Sequence, residues 1–300
     1  MIVSEVFFTV SQPAISEGNK QVWLVRMAGA EFEHQQTFLA AVSLVRQAGL
    51  TIKEAFTAPK VVSVKSEPTD LVTATDKQVE EALRQGLADL LPQAAFVGEE
   101  STNEGVELTS QPTWVVDPLD GTSNFVHGNP HLCVILGLLV NKEVQFCIVF
   151  NPILGQEWTA RRGCGADYNG TRIQVSGCTK LDRALLVQQT TPVVGEAVEA
   201  VRLANLATFL PLVQGLRVTG SSGIDLAYLA MGAVDVFFHF GHHIWDYAAA
   251  SLLVEEAGGV VGDPGGGPLD FLARRCLAAA SKQLFAQTVP RISLLDLGRD

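Results

Sequence analysis

From Glu31 to Phe56 the apolar positions Phe38, Val42, Val45, Gly49, Ile52 and Phe56 step by four and three. That spacing is one face of an α-helix. A second helical pattern starts at Asp76, with Val79, Leu83, Leu87 and Leu90 on one face. Asp76 is suited to cap it, and Pro92 lies just past its end. The period then changes. Trp114-Val115-Val116 reads as a short strand ending at Asp117, and Leu132 to Val140 is a nearly continuous apolar run. Asn141-Lys142 makes a turn, after which Val144, Phe146, Ile148 and Phe150 alternate with their neighbours. These are adjacent strands of a sheet, continued by the Gly-rich stretch from Trp158 to Gly170.

A second αβ section begins near Leu181. Gly220 to Ala230 reads as a loop entering a helix, and Val234 to Phe238 as a strand. Trp245-Asp246 opens a helix that runs through Leu252 and Leu253 and stops at Gly258-Gly259. Val260-Val261 returns to strand. Helices and strands alternate without an internal repeat or linker, which predicts a layered α+β architecture. The expected organisation is an extension over 1–30 that matches no element, an α+β half over 31–180, and an α/β half over 181–300.

Composition narrows the picture. Of 300 residues, 47% are hydrophobic and 18% charged, the balance of a globular chain with a sizeable core. The net charge is −11, from 32 acidic and 21 basic residues, with no Lys or Arg run. This argues against nucleic acid and anionic membrane as partners. No apolar stretch reaches membrane-spanning length, and the N-terminal region has no basic residue before Lys20. The five cysteines form no CxxC pair. They read as free thiols in a reducing compartment, so a cytoplasmic location is expected. Gly262 to Pro268 reads as a surface turn rather than a phosphate cradle.

Carboxylates stand at four edges where a strand or loop meets the next element: Asp76, Glu99-Glu100, Asp117 with Asp120, and Asp246. In layered α/β folds such edges collect functional groups. The sharpest stretch is Asp117-Pro118-Leu119-Asp120-Gly121-Thr122-Ser123-Asn124-Phe125. Asp117 emerges from a buried strand, and Asp120 can point back to the same spot. Hard divalent cations such as Mg²⁺ take carboxylate oxygens together with phosphate and water. Small residues after Asp120 leave amides free to meet a phosphate. The competing reading is an Asx turn followed by a helix cap.

Here the chain resembles a known family. Trp114-Val115-Val116-Asp117-Pro118-Leu119-Asp120-Gly121-Thr122-Ser123-Asn124-Phe125 is similar to a signature of the inositol monophosphatase family. The stretch from Trp245-Asp246 to Gly258-Gly259 resembles its second signature. Gly98-Glu99-Glu100, Lys65-Ser66 and the segment from Asp70 to Asp76 match further motifs in the family's order. The resemblance covers Glu31 to the C-terminus. It implies an αβαβα sandwich, a homodimer, and hydrolysis of a small phosphate monoester with Mg²⁺. Carried onto this sequence, Glu99, Asp117 and the Leu119 carbonyl would hold one metal, and Asp117, Asp120 and Asp246 a second. Glu99 and Asp76 would bear on a third, weaker one. Asp76 and Thr122 would orient the attacking water, with Glu99 also catalytic. The Gly121 and Thr122 amides would hold phosphate oxygens. Gly220, Ser221 and Ser222 would border the substrate, with Asp120 and Asp246 touching it.

Such chemistry agrees with the residues. Phosphate monoesters hydrolyse very slowly unaided, and cations both acidify water and stabilise the leaving oxygen. Converging carboxylates repel one another, so the metal-free site is expected to be looser than the loaded one. Where animal members carry a Glu that accepts a ring-hydroxyl hydrogen bond, this chain has His239, which can accept one such bond without a fixed charge. His239 is therefore read as a pocket wall, in preference to a metal site built from His239, His242 and His243. Asp225 and Asp235 are read as structural. Inositol monophosphate is the leading substrate, and the family's second metal site implies lithium sensitivity. The alternatives are another small monoester, such as a sugar phosphate or histidinol phosphate, and a catalytically dead relative that binds a polyol phosphate.

Overall fold

The structure is a computed structural model and describes residues 17–60, 62–64, 71–102, 105–188 and 195–300. The chain divides into two units. One runs through Leu39, of which the helical stretch from Glu17 is described; the other is Ala40–Asp300.

Helix α1 spans Glu17–Phe56. The helix expected from Glu31 thus begins earlier, and the part of the extension that is described belongs to it. No proline stands between Pro13 and Pro59 to break the pattern. After Ala40 its face is the predicted one: Val42, Val45 and Ile52 are buried. A Cβ on Gly49 would meet the Phe150 ring at 2.5 Å, so glycine lets the helix lie close on the sheet. A short antiparallel pair, β1 (Val62–Val64) and β2 (Leu71–Thr73), leads into α2 (Ala74–Leu90). The cap of α2 is Thr73, not Asp76: Asp76 sits at the third helical position, and its Oδ2 accepts from the Thr73 amide at 2.9 Å.

Among the described residues the first large sheet has seven strands in sequence order. They are β3 (Ala95–Gly98), β4 (Thr113–Asp120), β5 (Cys133–Val140), β6 (Glu143–Asn151), β7 (Gln156–Arg161), β8 (Gly165–Tyr168) and β9 (Thr171–Arg172). Only the β3–β4 pair is parallel. Asn141 and Lys142 both take positive φ (53° and 65°), the conformation of a two-residue hairpin. Helix α3 (Thr122–Val126) follows β4 directly.

The second sheet collects β10 (Leu185–Gln188), β11 (Gly215–Arg217), β12 (Val236–Phe240), β13 (Val260–Gly262) and β14 (Arg275–Ala279). Its order is β11-β10-β12-β14-β13. Helices α4 (Glu196–Phe209) and α7 (Lys282–Thr288) belong to this half, with Phe209 and Leu284 in one buried cluster with Val236, Phe238 and Leu277. Helices α5 (Ser222–Ala230) and α6 (Ile244–Glu256) contact strands of both sheets. They are apolar nearly all round because they fill the interior between the sheets. The result is an αβαβα sandwich. The Gly262–Pro268 stretch forms a turn, closed by Gly266 and Asp263 amides on the Asp263 and Gly267 carbonyls.

Candidate functional site

The site gathers where β4 leaves its sheet and the first turns of α2, α5 and α6 meet it. All of β4 is buried. It does not end at Asp117, as the apolar run suggested, but continues to Asp120, which pairs with Cys133 after a register shift. Pro118 lies inside that shift, where the ladder does not need its missing N–H. The Leu119 amide donates to Asp117 Oδ1 at 2.9 Å, so the Asx turn is present as well as the acidic pair. Gly121 follows with φ 97°, and a Cβ there would meet the His131 carbonyl at 2.9 Å. Glycine is required at that position.

Four carboxylates act on one another here. Asp117 is buried, and its carboxyl is held well above the usual range by burial first, then by the charges of Glu99, Asp120 and Asp246. Asp246 is pushed to about 7 by burial within the surrounding protein and then by Glu99. Asp120 is also raised, by burial, although four donors oppose the shift. Its Oδ2 accepts from Ser221 Oγ at 2.7 Å, the Gly223 amide at 2.6 Å and Cys133 Sγ at 3.5 Å. Its Oδ1 accepts from the Ser222 amide at 3.3 Å. The predicted 220–222 loop therefore reaches Asp120 directly. Gly220, at φ 86°, lies against Asn124, whose side-chain amide donates to the His131 and Thr219 carbonyls at 2.6 and 2.9 Å.

Asp76 and Thr122, 46 residues apart, are joined: Thr122 Oγ1 donates to Asp76 Oδ1 at 2.9 Å and lies 3.2 Å from the Leu119 carbonyl. Asp76 Oδ2 is held by the Thr73 amide and hydroxyl. Asp246 Oδ2 accepts from the His243 amide at 2.7 Å. Glu80, one turn beyond Asp76, was not foreseen; its Oε2 accepts from the Glu100 amide at 2.7 Å and fixes the acidic pair of the β3 loop. A Cβ on Gly98 would meet that oxygen at 2.5 Å. The signal was the four-residue spacing from Asp76 on one helix face.

His239 sits in a closed setting. It lies inside β12, paired with Cys276, because the strand runs two residues further than the apolar pattern showed. It is 1% exposed, stacks on His242 at 3.5 Å between ring centroids, and neither ring nitrogen has a hydrogen-bond partner among the described residues. Burial lowers its pKa to about 3, so the ring is neutral. His242 in turn bonds Ser222 Oγ through Nε2. Asp225 accepts from Thr219 Oγ1 at 2.7 Å, and Asp235 from the Leu185 amide at 2.7 Å, both structural uses. Lys65, Ser66 and Asp70 lie outside the described residues.

The donor set is one of hard carboxylate oxygens beside the Leu119 carbonyl, and it fits a hard divalent cation better than a soft one. Among the described residues no three His, Cys, Asp or Glu side chains are drawn together tightly enough to hold a cation as they stand. The carboxylates repel one another, and Asp120 and Asp246 are tied to protein donors.

Known proteins match this arrangement over most of the chain. The sequence profile of the inositol monophosphatase family matches residues 33–294. Inositol monophosphatase 2 of Homo sapiens is 40% identical over 269 residues, covering 89% of this chain and 93% of that protein. Inositol monophosphatase 1 of Bos taurus is 40% identical over 265 residues, covering 87% and 95%. The crystal structure of the extragenic suppressor protein suhB from Bartonella henselae superposes with a TM-score of 0.78 at 30% identity, covering 85% of this chain and 97% of that one. Profile, sequence and fold agree: the chain belongs to the inositol monophosphatase family and is a phosphoric monoester hydrolase.

Proposed function

We propose that this enzyme hydrolyses myo-inositol monophosphate to inositol and phosphate, with Mg²⁺ as its cofactor. The observation that carries the reading is the mutual electrostatic strain of Glu99, Asp117, Asp120 and Asp246 beside the joined Asp76–Thr122 pair. Bringing like buried charges together costs several kcal/mol per ion, and a cation bound among them relieves that cost. Glu99, Asp117, Asp120, Asp246 and the Leu119 carbonyl are the groups that would hold it. When bound, Mg²⁺ supplies positive charge to the phosphate and acidity to the attacking water.

The remaining work falls to the protein. Thr73 fixes Asp76, leaving Oδ1 to hold the Thr122 hydroxyl. A water placed against Thr122 and Glu99 would be oriented toward phosphorus and could pass its proton to a carboxylate of the cluster. The amides of Gly121 and Thr122 would meet phosphate oxygens. The Gly220, Ser221 and Ser222 loop, tied to Asp120, would border the polyol, with Asp120 and Asp246 accepting hydroxyl hydrogen bonds. His239 would line that wall as a neutral group, which keeps a sugar phosphate or histidinol phosphate as the second reading. Family resemblance supports a homodimer. Five free cysteines support a reducing, cytoplasmic setting, and no helix among the described residues is long and apolar enough to cross a membrane.

The test is phosphate release with Mg²⁺ on inositol 1-phosphate, inositol 4-phosphate, a sugar 1-phosphate, histidinol phosphate and a 3′,5′-bisphosphate nucleotide. Inositol phosphates should lead in kcat/KM. A lead for another monoester would overturn the substrate assignment, and silence across the panel would move the weight to a dead relative.

A further inference from the structure

The first turn of α6 is held by a residue 54 positions downstream of Asp246. Asp300 has a side chain only 3% exposed. Its Oδ2 accepts from the Ile244 amide at 2.8 Å, at the first residue of α6. Its Oδ1 lies 2.6 Å from His243 Nδ1. The carboxylate can only accept, so Nδ1 carries the proton, and Nε2 is left to accept from Arg274 Nη2 at 3.2 Å. The Asp300 amide is itself anchored on the Leu272 carbonyl at 3.1 Å, and Arg274 Nη1 donates to the Leu297 carbonyl at 3.1 Å.

The orphan amides at a helix start are usually met by an Ser, Thr, Asp or Asn side chain at the capping position. Here that position is His243, whose ring is engaged with Asp300 and stacked on Trp245 at 4.7 Å. Asp300 supplies the capping carboxylate from elsewhere in the chain, where it also complements the positive end of the helix dipole. The consequence reaches the acidic cluster through one residue. The His243 amide holds Asp246 Oδ2 at 2.7 Å, and Asp300 holds both the ring of His243 and the next amide.

We propose that Asp300 is a positioning residue for Asp246: its carboxylate fixes the His243–Ile244 turn, and that turn aims the Asp246 carboxylate at the cation and substrate. This rests on the reading of Asp246 given under Proposed function. Groups that orient ligands from behind typically change metal affinity or activity by about 10–100-fold when removed. Asp300→Asn keeps one acceptor but sets its amide group against either the His243 N–H or the Ile244 N–H; Asp300→Ala removes both acceptors.

The experiment is calorimetric titration of Mg²⁺ into the full-length wild type, Asp300→Asn and Asp300→Ala at a temperature well below their melting points. Turnover against Mg²⁺ concentration is measured alongside. The expected result is graded: Mg²⁺ affinity and half-saturation weaken about tenfold or more in Asp300→Ala and less in Asp300→Asn. A lowered melting temperature with wild-type Mg²⁺ affinity in both variants would make Asp300 a structural cap and overturn the proposal. Should Asp300→Ala fail to fold, the Asn variant decides by the same readout. Absence of Mg²⁺ binding by the wild type would overturn the reading of the acidic cluster itself.

Discussion

Asp120→Asn separates the chemistry of the site from its stability. An Asn whose oxygen takes the Oδ2 position keeps Ser221 Oγ, the Gly223 amide and Cys133 Sγ as donors. Its amide group then opposes only the Ser222 N–H, the longest of the backbone contacts at 3.3 Å. The largest folding cost is the unsatisfied Ser222 donor, about 1–3 kcal/mol. Loss of a negative charge offsets part of this, since Asp120 acts on both Asp117 and Asp246. At roughly 2–4 °C per kcal/mol for a large domain, the melting temperature should fall by a few degrees to about 12 °C. Removing a preorganised electrostatic group from a reaction centre costs about 10²–10³ in kcat, or roughly 3–4 kcal/mol. Phosphate release from inositol 1-phosphate with Mg²⁺ should therefore fall at least about 100-fold at a temperature where circular dichroism shows the variant folded. A folded variant with turnover close to wild type would put the reacting centre elsewhere. A loss of turnover that only tracks unfolding would refute the separation.

EDTA should abolish turnover and Mg²⁺ restore it, and lithium should inhibit; full activity in EDTA would sink the metal reading. Thr122→Val keeps the shape but loses the hydroxyl between Asp76 and Leu119. It should lower kcat by about 10²–10⁴, the range for a lost proton-transfer or orienting contact, with KM nearly unchanged. Unaltered kcat would remove Thr122 from the mechanism. Burial holds the native His239 at about 3 while the unfolded chain protonates near 6.5, so the unfolded state binds the extra proton between these values. Stability is full above about pH 6.5 and falls as pH drops, by up to about 1.4 kcal/mol per pH unit from this residue. Urea unfolding of His239→Phe at pH 7, 6 and 5 should show a shallower acid slope; parallel slopes would show that His239 does not carry it.

Much of this enzyme is determined locally and can be read from its residues. The four-and-three spacing after Ala40, the alternation from Val144 to Phe150 and the glycines closing α6 fix their elements because side-chain direction follows backbone period. Asp76, Glu99, Asp117, Asp120 and Asp246 drew attention because they stand where strands and loops meet the next element and because the stretches around them resemble the family's motifs. What depended on partners distant in sequence was not legible. Pattern alone ended β4 at Asp117, whereas pairing with β5 carries it through Pro118 to Asp120. Resemblance, not periodicity, drew attention to His239, and only the pairing of β12 with β14 and the stacked His242 ring show how deeply its ring is buried. Thr73 took the cap from Asp76, freeing Asp76 Oδ1 for Thr122. Asp300 gave no signal at all, because a lone carboxylate acquires its partners only when folding sets it against Ile244 and His243. Periodicity fixes which way a side chain points; only the packed sandwich decides what it meets there.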